Sequence, residues 1–524
     1  MSHSELALGA LLASGAVALV ARTARRDRSL PPGPPTVPVL GNAHLLGNGK
    51  DLHLRLTQWA REYGDIYSVK LGSGTMIVLS SATAIKSIID KNGWTGSSRV
   101  TNHVADLCGT SGDFNMLFAG DCPRLHNMRR IIGRFFSPQN TLKYQALQDA
   151  ESVLLLNDLL ERPLDFIKSI RRFTHSVAKV ITYGQHAASF DDPKTQKYYA
   201  LLDEVVHALA PGTYPPFELF PFLKHIPRPF APWIDETARI AAERTQVHEE
   251  LYADLAARLA LDDEEAKECF MGQLIRGGTP PGQEAFYSYS GLMLLDGGSD
   301  TSGALLISLV LILAVFPECQ ERIRQEIYAN VPEGRLPEAS DMENLPYLDA
   351  FFREAVRFRP ILPTAIPHAM SADVMYKGHV VPRDAMVVLN IHGIFHDPDV
   401  FENPHLFNPD RFLKSEHGTL PGMDADFREN LAFGAGRRVC PGQWIARSTV
   451  KLAAMRLVWA FTLSDARDYE TKQPISRDLE CYASDFVVMP RPFTCTIEPT
   501  NGASRDVVVQ SLDDAHTFLR RFRK

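Results

Sequence analysis

The stretch FGAGRRVCPG, residues 433–442, places one cysteine, Cys440, in a glycine-rich turn. Arg437 and Arg438 precede this cysteine, and a helical pattern begins at Gln443. Positive charge and a helix N-terminus both favour thiolate over thiol, so the sequence predicts a metal ligand or a nucleophile. A nucleophile needs a base such as histidine, and none is close in sequence, although a distant one stays open. A buried structural cysteine is the third interpretation.

Five positions of this stretch have a fixed spacing: Phe433, Gly436, Arg438, Cys440 and Gly442. The spacing resembles the haem-binding signature of the cytochrome P-450 family, and the resemblance extends over residues 31–499. It implies that Phe433, Arg438, Cys440 and Gly442 bind haem b and that the Cys440 thiolate is the axial ligand of the iron. A thiolate ligand favours cleavage of the O–O bond of dioxygen, which explains why sulfur is needed. The resemblance therefore implies a monooxygenase with O2 as co-substrate.

The pattern Glu-x-x-Arg occurs three times: Glu236/Arg239, Glu321/Arg324 and Glu354/Arg357. Such pairs are common and weak on exposed helices, so the pattern alone has little meaning. Only the third pair is followed by the stretch NPDRF, residues 408–412, in the order that the family shows. The resemblance implies that Glu354, Arg357 and Arg411 form a buried structural network near the cysteine turn.

Residues 286–316 predict one helix of roughly 45 Å, because prolines flank them on both sides. A second membrane span is the alternative, but the uncharged run after Asp300 is too short, which favours a buried core helix. Adjacent Gly297 and Gly298 cost about 1 kcal/mol each in mid-helix, which predicts close approach of a bulky group. The resemblance implies that Thr301 holds dioxygen and a water and that Asp300 helps to supply protons.

Haem carries two propionates, which need cationic or hydrogen-bonding partners. The sequence offers Arg438, His368 and Arg129 as candidates. In the family, the arginine equivalent to Arg129 usually ends the motif Trp-x-x-x-Arg. In this sequence Leu125 stands at the position of the tryptophan. A leucine side chain donates no hydrogen bond, so the sequence does not decide which residue makes this propionate contact. Whether His126 replaces the tryptophan as donor also stays open.

The composition fits a large globular chain. Its 524 residues are 45% hydrophobic and 22% charged, which excludes a disordered chain, a collagen and a small disulfide scaffold. The net charge of −7 argues against nucleic-acid binding. Seven cysteines without a Cys-x-x-Cys pair argue against zinc ribbons and for reducing surroundings. Length alone suggests three or four domains of ~150 residues. The motifs must meet at one iron, however, so we expect a single domain.

The pattern predicts a mainly α, or α+β, single domain with small β-sheets and an N-terminal membrane anchor. A hairpin is expected at 66–71 and 76–79, helices dominate 138–360, and strands return at 380–391. The predicted segments are an anchor with its basic flank at 1–30, a proline-rich hinge at 31–36, the haem-thiolate domain at 37–499 and a C-terminal extension at 500–524.

The N-terminus contains an uncharged apolar run at residues 6–21. Arginines follow it at positions 22, 25, 26 and 28, and positive charge after an apolar run predicts an anchor with the rest of the chain on the cytoplasmic side. A cleaved signal peptide and an apolar soluble helix are the alternatives. We therefore expect a single-pass protein of the endoplasmic reticulum whose catalytic domain faces the cytoplasm.

The sequence has no Gly-x-Gly-x-x-Gly dinucleotide turn, so electrons must come from another protein. The resemblance implies an NADPH-dependent flavoprotein reductase, or cytochrome b5, so that NADPH is used only indirectly. Four basic residues predict a docking patch on this acidic protein: Arg130, Arg134, Arg447 and Lys451. Scattered solvated charges are the alternative interpretation.

The family's distal pocket corresponds here to residues 114–118, 292–295, 361–366 and the region near Phe486. These segments are mainly apolar, which predicts a hydrophobic small-molecule substrate. The sequence is most similar to fungal secondary-metabolism members of the family. Two other functions stay open: a haem-thiolate isomerase or dehydratase that does not use O2, and a non-catalytic haem- or lipid-binding protein.

The C-terminal extension predicts a helix that begins at Ser511. Its apolar face would contain Leu512, Ala515, Leu519 and Phe522. Packing against the domain, or fraying at its surface, is favoured over contact with a membrane.

Overall fold

The computed structural model describes residues 25–522, apart from 47, 48, 50, 219, 424, 425, 484 and 485. The predicted anchor run at 6–21 lies outside the described residues. The α-helices are α1 Leu52–Tyr63, α2 Ala82–Ile85, α3 His103–Leu107, α4 Pro123–Phe135, α5 Pro138–Thr141, α6 Gln145–Glu161, α7 Phe166–Tyr183, α8 Pro193–Leu209, α9 Trp233–Ala260, α10 Glu264–Glu268, α11 Phe270–Arg276, α12 Glu284–Val315, α13 Pro317–Asn330, α14 Pro346–Phe358, α15 Ile391–Phe395, α16 Arg411–Lys414, α17 Gln443–Ala460 and α18 Gly502–Leu519. The strands are β1 Ile66–Leu71, β2 Gly74–Leu79, β3 Ser98–Arg99, β4 His368–Ala369, β5 Val374–Tyr376, β6 His379–Val381, β7 Met386–Leu389, β8 Phe461–Asp468, β9 Tyr482–Ala483, β10 Met489–Pro490 and β11 Phe493–Pro499. The predicted helix-rich fold with small sheets is confirmed.

The largest sheet has the strand order β1-β2-β7-β4-β3. Strands β1 and β2 form the predicted antiparallel hairpin, with Ile66 opposite Leu79. Strand β2 begins at Gly74, two residues before the predicted start. Strand β7 runs parallel to β2, and its side chains and those of the hairpin pack against α1 and the segment after α2. Three smaller antiparallel pairs, β5/β6, β8/β11 and β9/β10, complete the strands.

Helix α12 is the central core helix. Among the described residues it is the one helix long and apolar enough to cross a membrane, but 83% of its apolar window is buried inside the protein. The predicted core helix is therefore confirmed, with a start two residues earlier than expected. A Cβ atom on Gly298 would lie 3.0 Å from the Ala178 Cβ atom of α7, so close helix packing explains this glycine. Gly297 has open space around its Cα atom on the cavity side.

The proline-rich segment at 31–36 is bound to the sheet. Arg26 donates from Nε to the Ser68 hydroxyl at 2.8 Å and from Nη1 to the Gly33 carbonyl at 2.8 Å. The Ser68 N–H of β1 donates to the Pro32 carbonyl at 2.7 Å. A Cβ atom on Gly33 would lie 2.1 Å from the Ser68 carbonyl oxygen, so only glycine fits there. Arg26 thus fixes this segment to β1, besides being part of the predicted basic flank.

The C-terminal helix α18 begins nine residues before the predicted start at Ser511, so that prediction is wrong. The cause is Asn501, whose side-chain oxygen accepts the Ser504 N–H at 2.8 Å and caps the helix. Helix α18 packs along α6 and buries Ala515 and Leu519, and Phe522 in the turn after the helix is also buried. The C-terminal residues therefore belong to the packed domain.

Candidate active site

The cysteine turn owes its shape to two glycines. Gly434 and Gly436 have φ values of 88° and 57°, in the left-handed region that favours glycine. A Cβ atom on Gly436 would lie 2.9 Å from the Ile89 side chain. The Cys440 N–H donates to the Phe433 carbonyl at 2.8 Å, which closes the turn. The turn places the cysteine in the wall of a cavity of about 390 Å³.

The environment of Cys440 favours the thiol. Burial raises the pKa of this thiol, while the Gly442 N–H and the Arg129 guanidinium oppose the rise. Desolvation thus opposes the nearby positive charge that, from the sequence, favours a thiolate. A coordinating metal ion deprotonates a thiol outright, so a metal ligand remains consistent with this setting.

Four basic side chains line the cavity near this turn, and we call them the cationic cluster: Arg99, Arg129, His368 and Arg438. Arg438 donates to the carbonyls of Ser97, Met116 and Ala119, and Arg129 donates to the Val439 carbonyl at 2.5 Å. Sequence reasoning missed Arg99, which donates to carbonyls at 117, 366 and 367. No motif distinguishes Arg99, because it follows a turn and ends a two-residue strand.

The cationic cluster has little compensating negative charge, since Asp121 acts on Arg438 without a hydrogen bond and less strongly than Arg129 does. In the part of the chain that the structure describes, its guanidinium groups bond only to backbone carbonyls. Burial, and then repulsion by Arg438 and Arg129, lowers the pKa of Arg99 well below its ordinary value, and burial with repulsion by Arg129 lowers that of Arg438 to about 10. Like charges are stable in a buried site only beside an anion. The two carboxylates of haem fit this requirement, and Cys440 lies within the same cavity.

His368 differs from the arginines of the cluster. Its Nδ1 lies 2.6 Å from the Gly96 carbonyl oxygen, so Nδ1 carries the proton and donates. Burial, followed by repulsion from Arg99, lowers the pKa of His368 well below its ordinary value. The neutral ring has an acceptor at Nε2, so donation to a propionate requires a protonated ring.

Leu125 and His126 do not supply the contact expected of the family tryptophan. Leu125 is fully buried in the main hydrophobic core. The His126 ring is stacked on Trp94 with ring centroids 3.6 Å apart, and its Nε2 lies 2.5 Å from Asp121. The geometry therefore does not place His126 in the role of the tryptophan. Arg99 is instead the additional cation at the cavity wall.

Asp300 and Thr301 lie on α12 and line the same cavity as Cys440. Burial raises the pKa of Asp300 to about 6, although Arg171 opposes this rise. Arg171 in turn binds both oxygens of Asp203 at 2.9 Å, and the Asp203 side chain is 51% exposed. The Thr301 hydroxyl donates to the Gly297 carbonyl at 2.6 Å. A carboxyl with a pKa near neutrality beside a hydroxyl can exchange protons at physiological pH.

The cavity has a volume of about 390 Å³ and is mainly apolar. Each of the four segments predicted from the sequence contributes to it, through Phe118, Leu294, Ile361 and Phe486 among others. Helix α12 and the cysteine turn both contribute to its wall. Such a cavity suits a hydrophobic small molecule.

The structure brings Glu354, Arg357 and Arg411 together. Arg357 binds both oxygens of the Glu354 carboxylate, at 2.7 and 2.8 Å, and Arg411 Nε lies 3.0 Å from Oε2. The three side chains are 0%, 2% and 6% exposed. The Asn408 N–H also donates to the carboxylate, at 2.8 Å. The network joins α14 to the segment before the cysteine turn.

The basic residues of the predicted docking patch have different surroundings. Arg130 and Arg134 are exposed on α4. Lys451 forms an ion pair with Asp349, and its side chain is only 20% exposed. The Arg447 guanidinium lies 5.2 Å from the centre of the Phe433 ring. Asp349 therefore offsets the charge of Lys451, and the exposed positive charge comes mainly from α4.

Known proteins resemble this chain over most of its length. The model of the family described as Cytochrome P-450 matches residues 31–495. A cytochrome P-450 monooxygenase of Armillaria gallica is 33% identical over 507 residues, which cover 96% of this chain and 95% of that protein. Another from Rhodocybe pseudopiperita is 34% identical over 523 residues, 96% of each chain.

The fold also matches solved structures. A zebrafish cytochrome P-450 with abiraterone superimposes with a TM-score of 0.68 at 24% identity, covering 86% of this chain and 100% of that one. The matched fold, the full-length relatives and the cysteine turn in its cavity lead to one conclusion: this chain is a monooxygenase of the cytochrome P-450 family.

Proposed function

We propose that this chain uses O2 and reductase-supplied electrons to hydroxylate or otherwise oxidise a hydrophobic small molecule, in the biosynthesis of a fungal secondary metabolite. One observation carries the proposal: a mainly apolar cavity has Cys440 on one wall and Asp300 with Thr301 on another. The family implies haem as the cofactor and O2 as the oxidant. The fungal origin of the similar monooxygenases supports the metabolic assignment.

Haem b would be held by Cys440 as its thiolate ligand and by the cationic cluster through its propionates. When bound through a thiolate, haem supplies the activation of dioxygen. The cluster's arginines are positioned in advance by their bonds to backbone carbonyls, so little side-chain entropy is lost on binding. Phe433 and Gly442 would border the haem beside the cysteine.

Asp300 and Thr301 would act as the catalytic residues of proton delivery. Asp300 is nine-tenths buried, and its raised pKa lets it hold a proton inside the cavity near pH 6 to 7. The Arg171–Asp203 pair acts electrostatically on this carboxyl, and the Asp203 side chain is 51% exposed to solvent. In this proposal Asp300 takes protons from the side of that pair, and the Thr301 hydroxyl passes them into the cavity, where reduction of one oxygen atom of O2 to water consumes them.

The electron donor would be an NADPH-dependent flavoprotein reductase, with cytochrome b5 as an alternative donor. Arg130 and Arg134 supply exposed positive charge that suits an acidic partner. Reversal of Arg134 to Glu should slow reduction of the enzyme most strongly at low salt. Lys451→Glu should have a smaller effect, because Asp349 already pairs with this lysine. Equal reduction rates for Arg134→Glu and wild type at every salt concentration would contradict the docking surface.

The protein would be anchored in the endoplasmic reticulum membrane by residues 6–21, with the catalytic domain in the cytoplasm. The support is the order of the sequence, an apolar run followed by arginines. Fractionation of cells that express the full chain tests this. Recovery in the membrane fraction after a carbonate wash is expected, whereas release by carbonate would contradict a spanning anchor.

Substitution of the proposed ligand tests the central assignment. Cys440→Ala should abolish the long-wavelength thiolate band of the reduced carbon monoxide complex. Cys319→Ala, which removes another buried thiol far along the chain, should keep this band. Turnover that depends on both NADPH with reductase and O2 is expected of wild type. Turnover without either would instead support the isomerase or dehydratase alternative.

A further inference from the structure

The wall of the cavity contains a buried ion pair that has no role in the proposed proton delivery. Arg244 of α9 donates from Nη2 to Asp296 of α12 at 2.9 Å, and the two side chains are 5% and 17% exposed. Tyr198 of α8 donates its hydroxyl to the other Asp296 oxygen at 2.9 Å. Both Arg244 and Asp296 line the cavity. Three helices thus meet at one polar point in a mainly apolar wall.

Arg244 has hydrogen-bonding capacity to spare. A guanidinium has five N–H donors, and the structure records one of them in use, while the Nε atom is buried without a partner. Other polar side chains of this wall are satisfied by the protein. Thr174 donates to the Ser299 carbonyl at 2.9 Å, and Thr182 donates to the Ala178 carbonyl at 2.7 Å. The Nη1 donors have no hydrogen-bond partner among the described residues, so an occupant of the cavity that accepts from Nη1 would stabilise this arrangement.

The charges around Arg244 select the kind of acceptor. Asp296 already neutralises the guanidinium, and Asp300 lies one helical turn further along α12. A ligand carboxylate would bring a second anion close to both, whereas a neutral oxygen would not. We propose that the Arg244–Asp296 pair is a polar subsite that binds a neutral acceptor oxygen, such as a carbonyl, of an otherwise hydrophobic ligand.

The subsite also orients the ligand. Asp296 precedes Asp300 by four residues, so both lie on the same side of α12 about 6 Å apart along its axis. The acceptor oxygen would be held one helical turn from the proposed proton donor. The carbon that reacts would therefore not be the one that carries this oxygen. This inference rests on the proposed function, since it names the ligand class of the same cavity.

Binding of three probes of one size tests the subsite: methyl naphthyl ketone, ethylnaphthalene and naphthoate, substituted at the same ring position. Equilibrium dialysis of each against the haem-loaded full chain gives dissociation constants without relying on a spectral response. We expect the ketone to bind wild type at least ~10-fold more tightly than ethylnaphthalene, as one charge-assisted hydrogen bond provides. We expect naphthoate to bind more weakly than the ketone.

The matched variants are Arg244→Met/Asp296→Asn, which replaces both charges together, and Arg239→Met. Arg239 is on the same helix, but its side chain is 47% exposed and pairs with Glu204 and Glu243. The double variant should lose the ketone preference, and Arg239→Met should keep it. Asp296→Asn alone leaves the guanidinium uncompensated and should shift the preference toward naphthoate.

Three results would overturn the subsite. The first is that wild type binds the ketone no more tightly than ethylnaphthalene, or binds none of the probes measurably. The second is an equal ketone preference in the double variant, and the third is tighter binding of naphthoate than of the ketone by wild type. The reduced carbon monoxide spectrum of each preparation separates this outcome from failure of the proposed function. A thiolate band without a ketone preference overturns the subsite alone. Absence of the thiolate band in wild type overturns the proposed function.

Discussion

Replacement of Glu354 by Gln should destabilise the protein strongly, because it removes a charge that two buried arginines share. The carboxylate is fully buried and accepts from Arg357, Arg411 and the Asn408 N–H. The amide keeps the volume, but it leaves two buried guanidinium groups without a counter-charge. Loss of one partner from a buried ion pair costs about 3–5 kcal/mol. A cost of ~3 kcal/mol corresponds to more than a hundredfold change in the folding equilibrium.

The chain contains its own control for this substitution. Glu321 and Arg324 have the same spacing and an almost equal N–O distance, 2.8 Å against 2.7 Å, but the Glu321 side chain is 54% exposed. Glu321→Gln should cost less than about 1 kcal/mol, since surface pairs contribute little. The double variant Glu354→Gln/Arg411→Met should recover part of the loss, because it removes one unpaired charge.

The assay is the rate at which the haem-loaded protein loses its reduced carbon monoxide band in urea, because large chains commonly unfold irreversibly. The two single variants are compared at the same urea concentration. Equal rates for Glu354→Gln and Glu321→Gln would refute the reasoning, since burial is the main difference between the two pairs.

Three other predictions concern acid, the haem site and the C-terminus. Burial lowers the pKa of His53 and of His248 to about 4, so below pH 6.5 these histidines bind protons in the unfolded chain but not in the folded chain. The melting temperature should therefore fall between pH 6.5 and 5. It should fall less in His248→Gln, which lacks one of these groups. Arg438→Met should weaken haem retention, measured by haem transfer to apomyoglobin, more than Arg437→Met, whose side chain is exposed; equal transfer rates would contradict the role of the cationic cluster. Asn501→Ala should cost about 1 kcal/mol through loss of the cap of α18, which urea unfolding of the variant checks against wild type.

Sequence reasoning succeeded where a residue type and its neighbours in the chain suffice. The hairpin, the core helix α12 and the cysteine turn all depend on local patterns of glycine, proline and apolar residues. Glu354 and Arg357 are likewise one helical turn apart, so their pairing was predictable. The motif order then indicated that distant Arg411 belongs with them.

Other features depend on distance in space that no local pattern encodes. Arg99 joins the cationic cluster because β3 pairs with β4, and nothing near position 99 indicates this. The rise in the pKa of Cys440 depends on burial, which the sequence does not display. The start of α18 was missed because Asn501 was not recognised as a cap, and the pairing of Lys451 depends on Asp349, about a hundred residues earlier in the chain.

The cationic cluster has a consequence for how much of this protein a cell contains. The guanidinium groups of Arg99, Arg129 and Arg438 repel one another and so oppose closure of the segments that hold them, and a bound dianion would remove that opposition. Binding to the folded state alone raises its population by mass action. Chains made faster than haem is supplied would spend longer open at this site and be exposed to proteases. The yield of the protein should then follow the haem supply of the host cell, not only the level of its messenger RNA.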